Sequence, residues 1–388
     1  MTTTSVYKIM TRVLLAASVV LFGAAMAQAK EGDMRSSISV LSGMDIHLGG
    51  QLNRQVVYVD NGTDTATGHT DNSAFPSYVR LKGRTRNGYG PGLSWGFKVE
   101  TGINSGPSEN FNFSSGTSNS TNWETRASYV WLMSDKWGKV AMGRGPGAAR
   151  YSSRKDLSGT ERVHNFDSRR VAAIPFREDN GSLAGLTVSQ LFPNNWGVRA
   201  DQLLYKSPEF ANTRFKASFG NNSEREYSLN YRNYDWKDDL LAGDDTRIAA
   251  SIGHVRNVDP SASGDQADAR LLGSASILHP SGLNLTLGYV NQDPGTANTN
   301  QNTTWSTYTK LGYRFGNHST SVDYGISRGS VASGGKVEGT LWGLGYGWSM
   351  GPYGLGIGVE QYDAEFVSSG LPNIDSTWVY NAQFNVRF

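Results

Sequence analysis

The chain is a succession of segments of about ten residues in which apolar side chains alternate with polar or small ones. In a β-strand successive side chains point to opposite faces, so each segment predicts a strand with one apolar face. The last segment shows this most clearly, with Trp378, Tyr380 and Phe384 on one face and Asn381 and Gln383 on the other. Clusters of Gly, Asn, Asp, Ser and Pro separate the segments and predict turns.

The two faces of these segments point to a membrane barrel. The apolar faces carry aromatic residues near their ends, as expected for the girdles of a barrel at two lipid–water interfaces. The opposite faces hold glycine, small polar residues and charges, so we expect them to line water rather than a dry core. A hydrophobic content of 38% is low for a helical membrane protein. The sequence therefore predicts an all-β fold, a transmembrane antiparallel barrel without exposed edges.

Sixteen segments qualify as barrel strands, an even number. Two further segments, 171–178 (VAAIPFRE) and 186–192 (LTVSQLF), are apolar enough to raise the number to eighteen, and parity does not decide between the two. The sixteen segments are 45–59, 75–87, 92–104, 124–134, 138–145, 200–207, 213–220, 225–235, 246–257, 268–278, 283–292, 305–316, 318–328, 339–349, 353–363 and 376–388.

The N-terminus predicts export. Lys8 and Arg12 precede an apolar stretch, and Ala27-Gln28-Ala29 forms a small-residue cleavage site, so residues 1–29 are expected to be a cleaved signal peptide. Residues 30–388 then form one barrel domain. Cleavage leaves 34 of the 36 Lys and Arg residues against 34 Asp and Glu, and this neutral balance argues against a nucleic-acid partner.

Residue patterns typical of enzymes and metal sites are missing from the sequence. The chain has no cysteine, and its six histidines are scattered without metal-ligand spacing, so no metal site and no cofactor are expected. The segment 333–337 (SGGKV) lacks the Ser or Thr that a phosphate-binding loop requires, and no G-x-S-x-G elbow occurs. We therefore expect no enzyme, although an outer-membrane barrel hydrolase stays an alternative.

Residues 77–88 (SYVRLKGRTRNG) carry a cation at every second position, Arg80, Lys82, Arg84 and Arg86. These four side chains share one face of the strand. Facing lipid, each would cost roughly 2–4 kcal/mol near the bilayer midplane, so a barrel must direct them into its lumen. The same parity places Lys98, Glu100, Arg126, Lys206, Arg214, Lys216, Lys310, Arg314 and Arg387 on the inner face, together with the acids Asp45, Glu226, Asp323 and Glu360.

Several segments, in their order along the chain, resemble the Gram-negative general porins, which are trimeric barrels of sixteen strands. The more specific ones are 138–144 (GKVAMGR), 205–210 (YKSPEF) and the alternating last strand that ends at Phe388. The resemblance covers essentially the whole chain after the signal peptide. It implies passive diffusion of small hydrophilic solutes and ions through a pore in the cell outer membrane.

The resemblance further implies that a long loop, here about 146–198, folds into the barrel and narrows it, with Arg144 at its base. Asp156, Glu161 and Asp167 are expected to face the pore from this loop and to offset the inward cations, which predict a weak to moderate anion preference. Loop 104–122 is expected either to latch a neighbouring subunit of a homotrimer or to be a surface loop. Further partners implied are outer-membrane lipid, lipopolysaccharide, and the barrel-assembly machinery, which would recognise the strand ending at Phe388.

Two alternatives to a general porin stay open at this point. One is a channel of the same architecture that selects an anion, a sugar or an organic acid. The other is an exported soluble β-sandwich, an adhesin or lectin, which the glycine-lined strands and the terminal Phe388 disfavour.

Overall fold

A computed structural model describes most of the chain after the N-terminal 36 residues. The predicted signal peptide and Arg86 lie outside the described residues. The described residues are 37–41, 43–85, 92–113, 121–192, 199–221, 224–235, 245–257, 269–293, 304–330, 335–367 and 372–388.

The alternating segments form twenty strands, eighteen of which belong to a single sheet. The strands are β1 Ser37–Leu41, β2 Met44–Asp60, β3 Thr65–Asp71, β4 Tyr78–Thr85, β5 Leu93–Ser105, β6 Thr121–Ser134, β7 Gly138–Pro146, β8 Pro175–Arg177, β9 Leu183–Thr187, β10 Arg199–Lys206, β11 Thr213–Gly220, β12 Glu224–Arg232, β13 Arg247–Asn257, β14 Ala269–Leu278, β15 Leu283–Asp293, β16 Thr304–Phe315, β17 His318–Ser330, β18 Lys336–Met350, β19 Tyr353–Phe366 and β20 Thr377–Arg387.

The sheet closes on itself as a barrel of sixteen antiparallel strands. β3 and β4 pair with the two ends of β2, so they are halves of one interrupted strand, and β1 only flanks the start of β2. The seam joins β20 to β2, from Trp378 opposite Asp60 to Arg387 opposite Gln51. The prediction of a barrel with sixteen strands is confirmed.

The alternative of eighteen barrel strands is wrong. The apolar segments 171–178 and 186–192 lie in the connection between β7 and β10. There, β8 and β9 pair only with each other, and Val188–Leu191 forms one helical turn. Two short 3-10 turns, Ser108–Asn110 and Ser168–Arg170, complete the helical structure of the described chain. None of its helices is both long and apolar enough to cross a membrane.

The outer face of the barrel is apolar, as the alternation predicts. Exposed large apolar side chains on this face are 37–69% accessible in the isolated chain. Examples are Val130, Met142, Leu229, Leu283 and Leu344. Since these residues alternate along their strands with buried or polar neighbours, the register that turns them to lipid directs the other face into the lumen.

Candidate pore and constriction loop

Residues 147–198 connect β7 to β10. We call this segment the constriction loop, after its predicted role, and its described part packs against the inner face of the barrel. It follows the inner face of β11–β20, which we call the docking wall. Hydroxyl groups of this wall accept hydrogen bonds from the loop backbone: Ser218 from the amide of Ala148, Ser274 from Lys155 and Ser276 from Leu157, at 2.7–2.9 Å. The small polar residues of the inner face therefore satisfy the backbone of a loop that has no strand partner there.

Glycines on the docking wall leave a groove that receives the side chain of His164. A Cβ at Gly343 would lie 2.5 Å from its Nδ1, and one at Gly358 would lie 2.5 Å from its Nε2. At the base of the groove Nδ1 lies 2.9 Å from a carboxylate oxygen of Asp323, and both side chains are fully buried. The G-x-G patterns of β18 and β19 thus mark a contact site for the loop.

Two buried ion pairs add to this attachment. The guanidinium of Arg170 donates to both carboxylate oxygens of Glu360, at 2.5 and 3.0 Å. Lys310 Nζ lies 2.8 Å from Asp156 and also donates to the backbone carbonyl of His164 at 2.6 Å. Because a buried charge is costly without a partner, these pairs hold the loop and the wall together in one arrangement.

A hydrophobic cluster also forms inside the barrel between the loop and the docking wall. Val171, Ile174, Phe176 and Leu191 of the loop pack here and are at most 1% exposed. Their partners on the inner face are Val57, Val59, Val255, Leu272, Val290, Tyr308, Val337, Leu341, Tyr362, Ala364 and Val379. The expectation that the inner face lines only water is therefore wrong, because part of that face is the seat of an apolar loop.

Opposite the docking wall, the inner face of β4–β7 and β10 is the basic wall. At its centre the carboxylate of Glu100 is surrounded by four cations. Lys98 Nζ lies at 2.8 Å, Arg126 Nε at 3.0 Å, and guanidinium nitrogens of Arg199 and Arg80 lie at 3.5 and 3.9 Å. Four positive charges against one carboxylate leave a surplus of three at this level of the pore.

The constriction loop faces the basic wall with aromatic and cationic groups. The hydroxyl of Tyr151 accepts a hydrogen bond from Arg199 at 2.9 Å, and the guanidinium of Arg154 lies 3.7 Å from the ring centroid of Phe75. Burial acts to raise the pKa of the Tyr151 phenol, but the charges of Arg150 and Arg199 outweigh it and lower that pKa to about 6. The loop side of the constriction thus places the cations Arg150 and Arg154 next to Tyr151.

Two loop acids expected to face the pore are neutralised within the protein. Asp167 is fully buried, where Arg169 binds it at 2.8 Å and Arg154 lies at 4.0 Å. Despite burial, these two cations hold the pKa of Asp167 below its usual value. Asp156 pairs with Lys310. The third acid, Glu161, lines a cavity of about 340 Å³ next to the turn between β16 and β17.

The structure places most of the predicted basic residues on one surface. Arg80, Lys82 and Arg84 follow one another along the inner face of β4, and Lys82 lies directly opposite Lys98 of β5. Arg144 differs. Its cross-strand partners, Ser128 and Asp201, are exposed residues, and its Nε donates to the backbone carbonyl of Thr125 at 2.8 Å.

Sequence reasoning missed Arg199, Tyr151, Arg154 and Phe75. The alternation predicts Phe75 at the start of a strand, and Arg199 immediately precedes one, where alternation is no guide. The two others belong to an irregular loop. The glycines at 343, 345, 356 and 358 were visible as an inner-face pattern, and that pattern could have indicated a docking site.

His164, Asp323 and Glu360 are the one group of described residues whose side chains could hold a metal ion, with ligating atoms within 4.8 Å of one another. Arg170 occupies both oxygens of Glu360, and Asp323 faces the imidazole. These contacts explain the cluster as part of the loop attachment.

The sequence matches a family model described as Gram-negative porin over residues 15–385. The chain belongs to the Gram-negative porin family. The family and the barrel are those of outer-membrane channels. A search of curated protein sequences gave no significant match.

Solved porins share the fold of this porin at low sequence identity. An anion-selective porin from Comamonas acidovorans is 16% identical, with a TM-score of 0.55 and coverage of 89% of this chain and 100% of the other. Outer-membrane expressed OmpT of Vibrio cholerae is 13% identical, with a TM-score of 0.56 and coverage of 91% and 100%. Salmonella typhi OmpF in complex with daunomycin is 12% identical, with a TM-score of 0.52 and the same coverage. At these identities the likeness concerns the fold alone.

Proposed function

We propose that this porin lets small hydrophilic solutes diffuse passively and that its pore prefers anions. The observation that carries the proposal is the set of four cations around Glu100 on the basic wall. Charged groups at a constriction select permeating ions by sign. The pairing of Asp156 and Asp167 within the protein supports the same sign of selectivity, since neither acid offsets the wall.

The geometry favours this function over a sugar-selective channel. A sugar track needs a row of aromatic rings that a solute can stack on. At the constriction guanidinium groups cover an aromatic ring instead. Those of Arg80 and Arg126 lie over Tyr78, at 5.3 and 5.5 Å from its ring centroid. Cations stacked on rings present positive charge to the solute rather than a bare aromatic face.

The test is the reversal potential of the purified protein in a planar bilayer under a KCl gradient. The proposal expects a potential of the sign that chloride permeation produces. A potential of the opposite sign would overturn the anion preference, and an absence of conductance would overturn the channel function. Lowering the ionic strength should strengthen the preference, because surface charges are then screened less.

Assembly and export belong to the same proposal. We infer a homotrimer with one pore in each subunit, supported by the likeness to porin structures that include a trimer form of Vibrio cholerae OmpT. Conductance steps in groups of three would support it.

The start of loop 104–122 folds inward over its own barrel, where Phe111 is fully buried. Residues 114–120 lie outside the described chain. Export by the segment 1–29, the lipopolysaccharide contact and recognition of Phe388 stay proposals.

A further inference from the structure

Lysines face one another directly across neighbouring strands of the inner face. Lys139 of β7 is opposite Lys206 of β10, and Lys206 is in turn opposite Lys216 of β11. Directly opposed residues of antiparallel strands have Cβ atoms about 4.5–5.5 Å apart, and like charges at such positions are destabilising. Two consecutive opposed pairs therefore form an arrangement that the barrel fold itself does not favour.

A fourth lysine, Lys155 of the constriction loop, completes the cluster, which we call the lysine quartet: Lys139, Lys155, Lys206 and Lys216. Lys155 and Lys216 line the same cavity, whose volume is about 120 Å³. A single water needs roughly 10–15 Å³ of such space, so the cavity has room for an oxyanion with several waters. Arg214 and Arg232 also line it.

Carboxylates do not neutralise the quartet within the described part of the chain. There, no carboxylate oxygen lies within 4.0 Å of any of the four ammonium groups. Glu209 lines the cavity, but it pairs with Arg214 at 3.0 Å. Lys216 Nζ has an amide oxygen, that of Asn230, at 3.4 Å. Burial, and after it the charge of Arg232, lower the pKa of Lys155 to about 8, as expected for an ammonium that lacks an anionic partner.

The side of the quartet nearest Lys98 is aromatic. Lys139 Nζ lies 4.2 Å from the ring centroid of Trp131 and 5.9 Å from that of Tyr129. Tyr129 is directly opposite Lys98 across β5 and β6. Two members of the quartet, Lys139 and Lys206, thus lie on the basic wall itself, and Tyr129 of β6 lies between Lys139 and Lys98.

We propose that the lysine quartet is a second anion site of the pore and that it retains polyvalent oxyanions such as pyrophosphate. An ammonium group is a compact point charge with three donors, which suits the many oxygens of a phosphate group. The attraction of a fixed charge cluster grows with the charge of the ligand, so a polyvalent anion gains several times what chloride gains. The inference rests on the proposed anion preference, because the solute must first enter a basic pore.

Inorganic pyrophosphate is the probe. It is added to the wild-type trimer in a planar bilayer at constant ionic strength, and the chloride current is recorded. The quartet variant is Lys139→Gln with Lys206→Gln, which relieves like-charge repulsion and so should fold. The control variant is Lys136→Gln with Lys336→Gln, which removes the same number of charges from two exposed positions outside the quartet.

Pyrophosphate is expected to reduce the chloride current of the wild type and of the control variant at the same concentration. In the quartet variant the concentration for half block should rise by roughly tenfold. Equal block in all three proteins would overturn the inference, because the anion would then act elsewhere. A chloride-selective wild type without block would also overturn it while leaving the proposed function intact. Cation selectivity in KCl would instead overturn the proposed function itself.

Discussion

The basic wall and the docking wall lie on opposite sides of the same barrel, and polar, charged or small residues point inward from both. On the basic wall these residues are long cations such as Arg80 and Lys98, which gather around Glu100. On the docking wall they are serines and glycines that receive the constriction loop. Small residues of the docking wall leave room for the loop, and buried charges there, such as Glu360 and Lys310, are paired with it. The long cations of the basic wall surround Glu100 instead and leave that side of the lumen to the pore.

The buried pair between Arg170 and Glu360 offers the most disruptive change to the docking wall. Arg170→Met leaves Glu360 charged and without a partner, and is expected to lower the free energy of unfolding by about 3–5 kcal/mol. The matched control is Arg328→Met. It breaks a pair with Glu338 at 2.7 Å whose side chains are 58% and 43% exposed, so its expected effect is about 0–1 kcal/mol.

Denaturant unfolding in detergent measures the loss of unfolding free energy in Arg170→Met and in Arg328→Met. Arg170→Met combined with Glu360→Met should regain most of the loss, since apolar side chains then replace the whole pair. Similar losses for Arg170→Met and Arg328→Met would show that the loop attachment does not depend on this pair.

Filling the glycine groove with a methyl group should cause the next largest loss of stability. Gly343→Ala places a methyl group 2.5 Å from both His164 Nδ1 and Asp323 Oδ2, so the loop must shift. Overpacking of this kind is expected to cost about 1–3 kcal/mol and to change the unitary conductance, because His164 holds the loop. In Gly273→Ala the nearest atom lies 3.8 Å away, and this control should conduct normally. A Gly343→Ala protein with unchanged melting temperature and conductance would show that the glycine groove does not position the loop.

Ion selectivity should depend mainly on the cations of the basic wall. Arg126→Gln removes one of the four cations around Glu100 and is expected to lower the ratio of chloride to potassium permeability roughly twofold. Arg328→Gln removes a charge of the same sign from an exposed pair and should leave the ratio unchanged. Equal effects of the two changes on the reversal potential would assign selectivity to the overall charge of the protein rather than to this wall.

A change of pH should alter the chloride preference less than the loss of Arg126 does. With its pKa near 6, the Tyr151 phenol is neutral at pH 5 and charged at pH 8, so the positive surplus of the constriction falls as pH rises. The chloride preference is expected to be higher at pH 5 than at pH 8, and Tyr151→Phe should weaken this dependence. Reversal potentials at the two pH values measure it. An identical pH profile in Tyr151→Phe would show that other groups cause the change.

Much of the fold could be predicted from the sequence because alternation is a local property. The segment 376–388 reveals its outer and inner faces without any knowledge of its neighbours, and the observed strand covers Thr377–Arg387. The row Arg80, Lys82 and Arg84 was readable for the same reason. Arg144 was harder, since Gly143 adopts a positive φ of 123° next to it and local alternation gives no safe orientation there.

The interior could not be predicted in the same way because the constriction loop is irregular. Its contacts join residues far apart in the chain, such as Arg170 with Glu360 or His164 with Asp323, and no local pattern specifies such pairs. The apolar segments within the loop suggested extra barrel strands for this reason. Their apolar side chains pack against the inner wall instead, a role that becomes visible only once the barrel is closed.

The absence of cysteine from the sequence allows a direct test of the two-wall account by single cysteine substitutions. Lys82→Cys lies on the basic wall and Ser276→Cys on the docking wall, where Ser276 is fully buried beneath the loop. The measurement is the rate at which a water-soluble, charged thiosulfonate modifies each protein in a bilayer, followed by the fall in current. We expect rapid modification and reduced current for Lys82→Cys and no reaction for Ser276→Cys. Rapid reaction of both, or of Ser276→Cys alone, would contradict it.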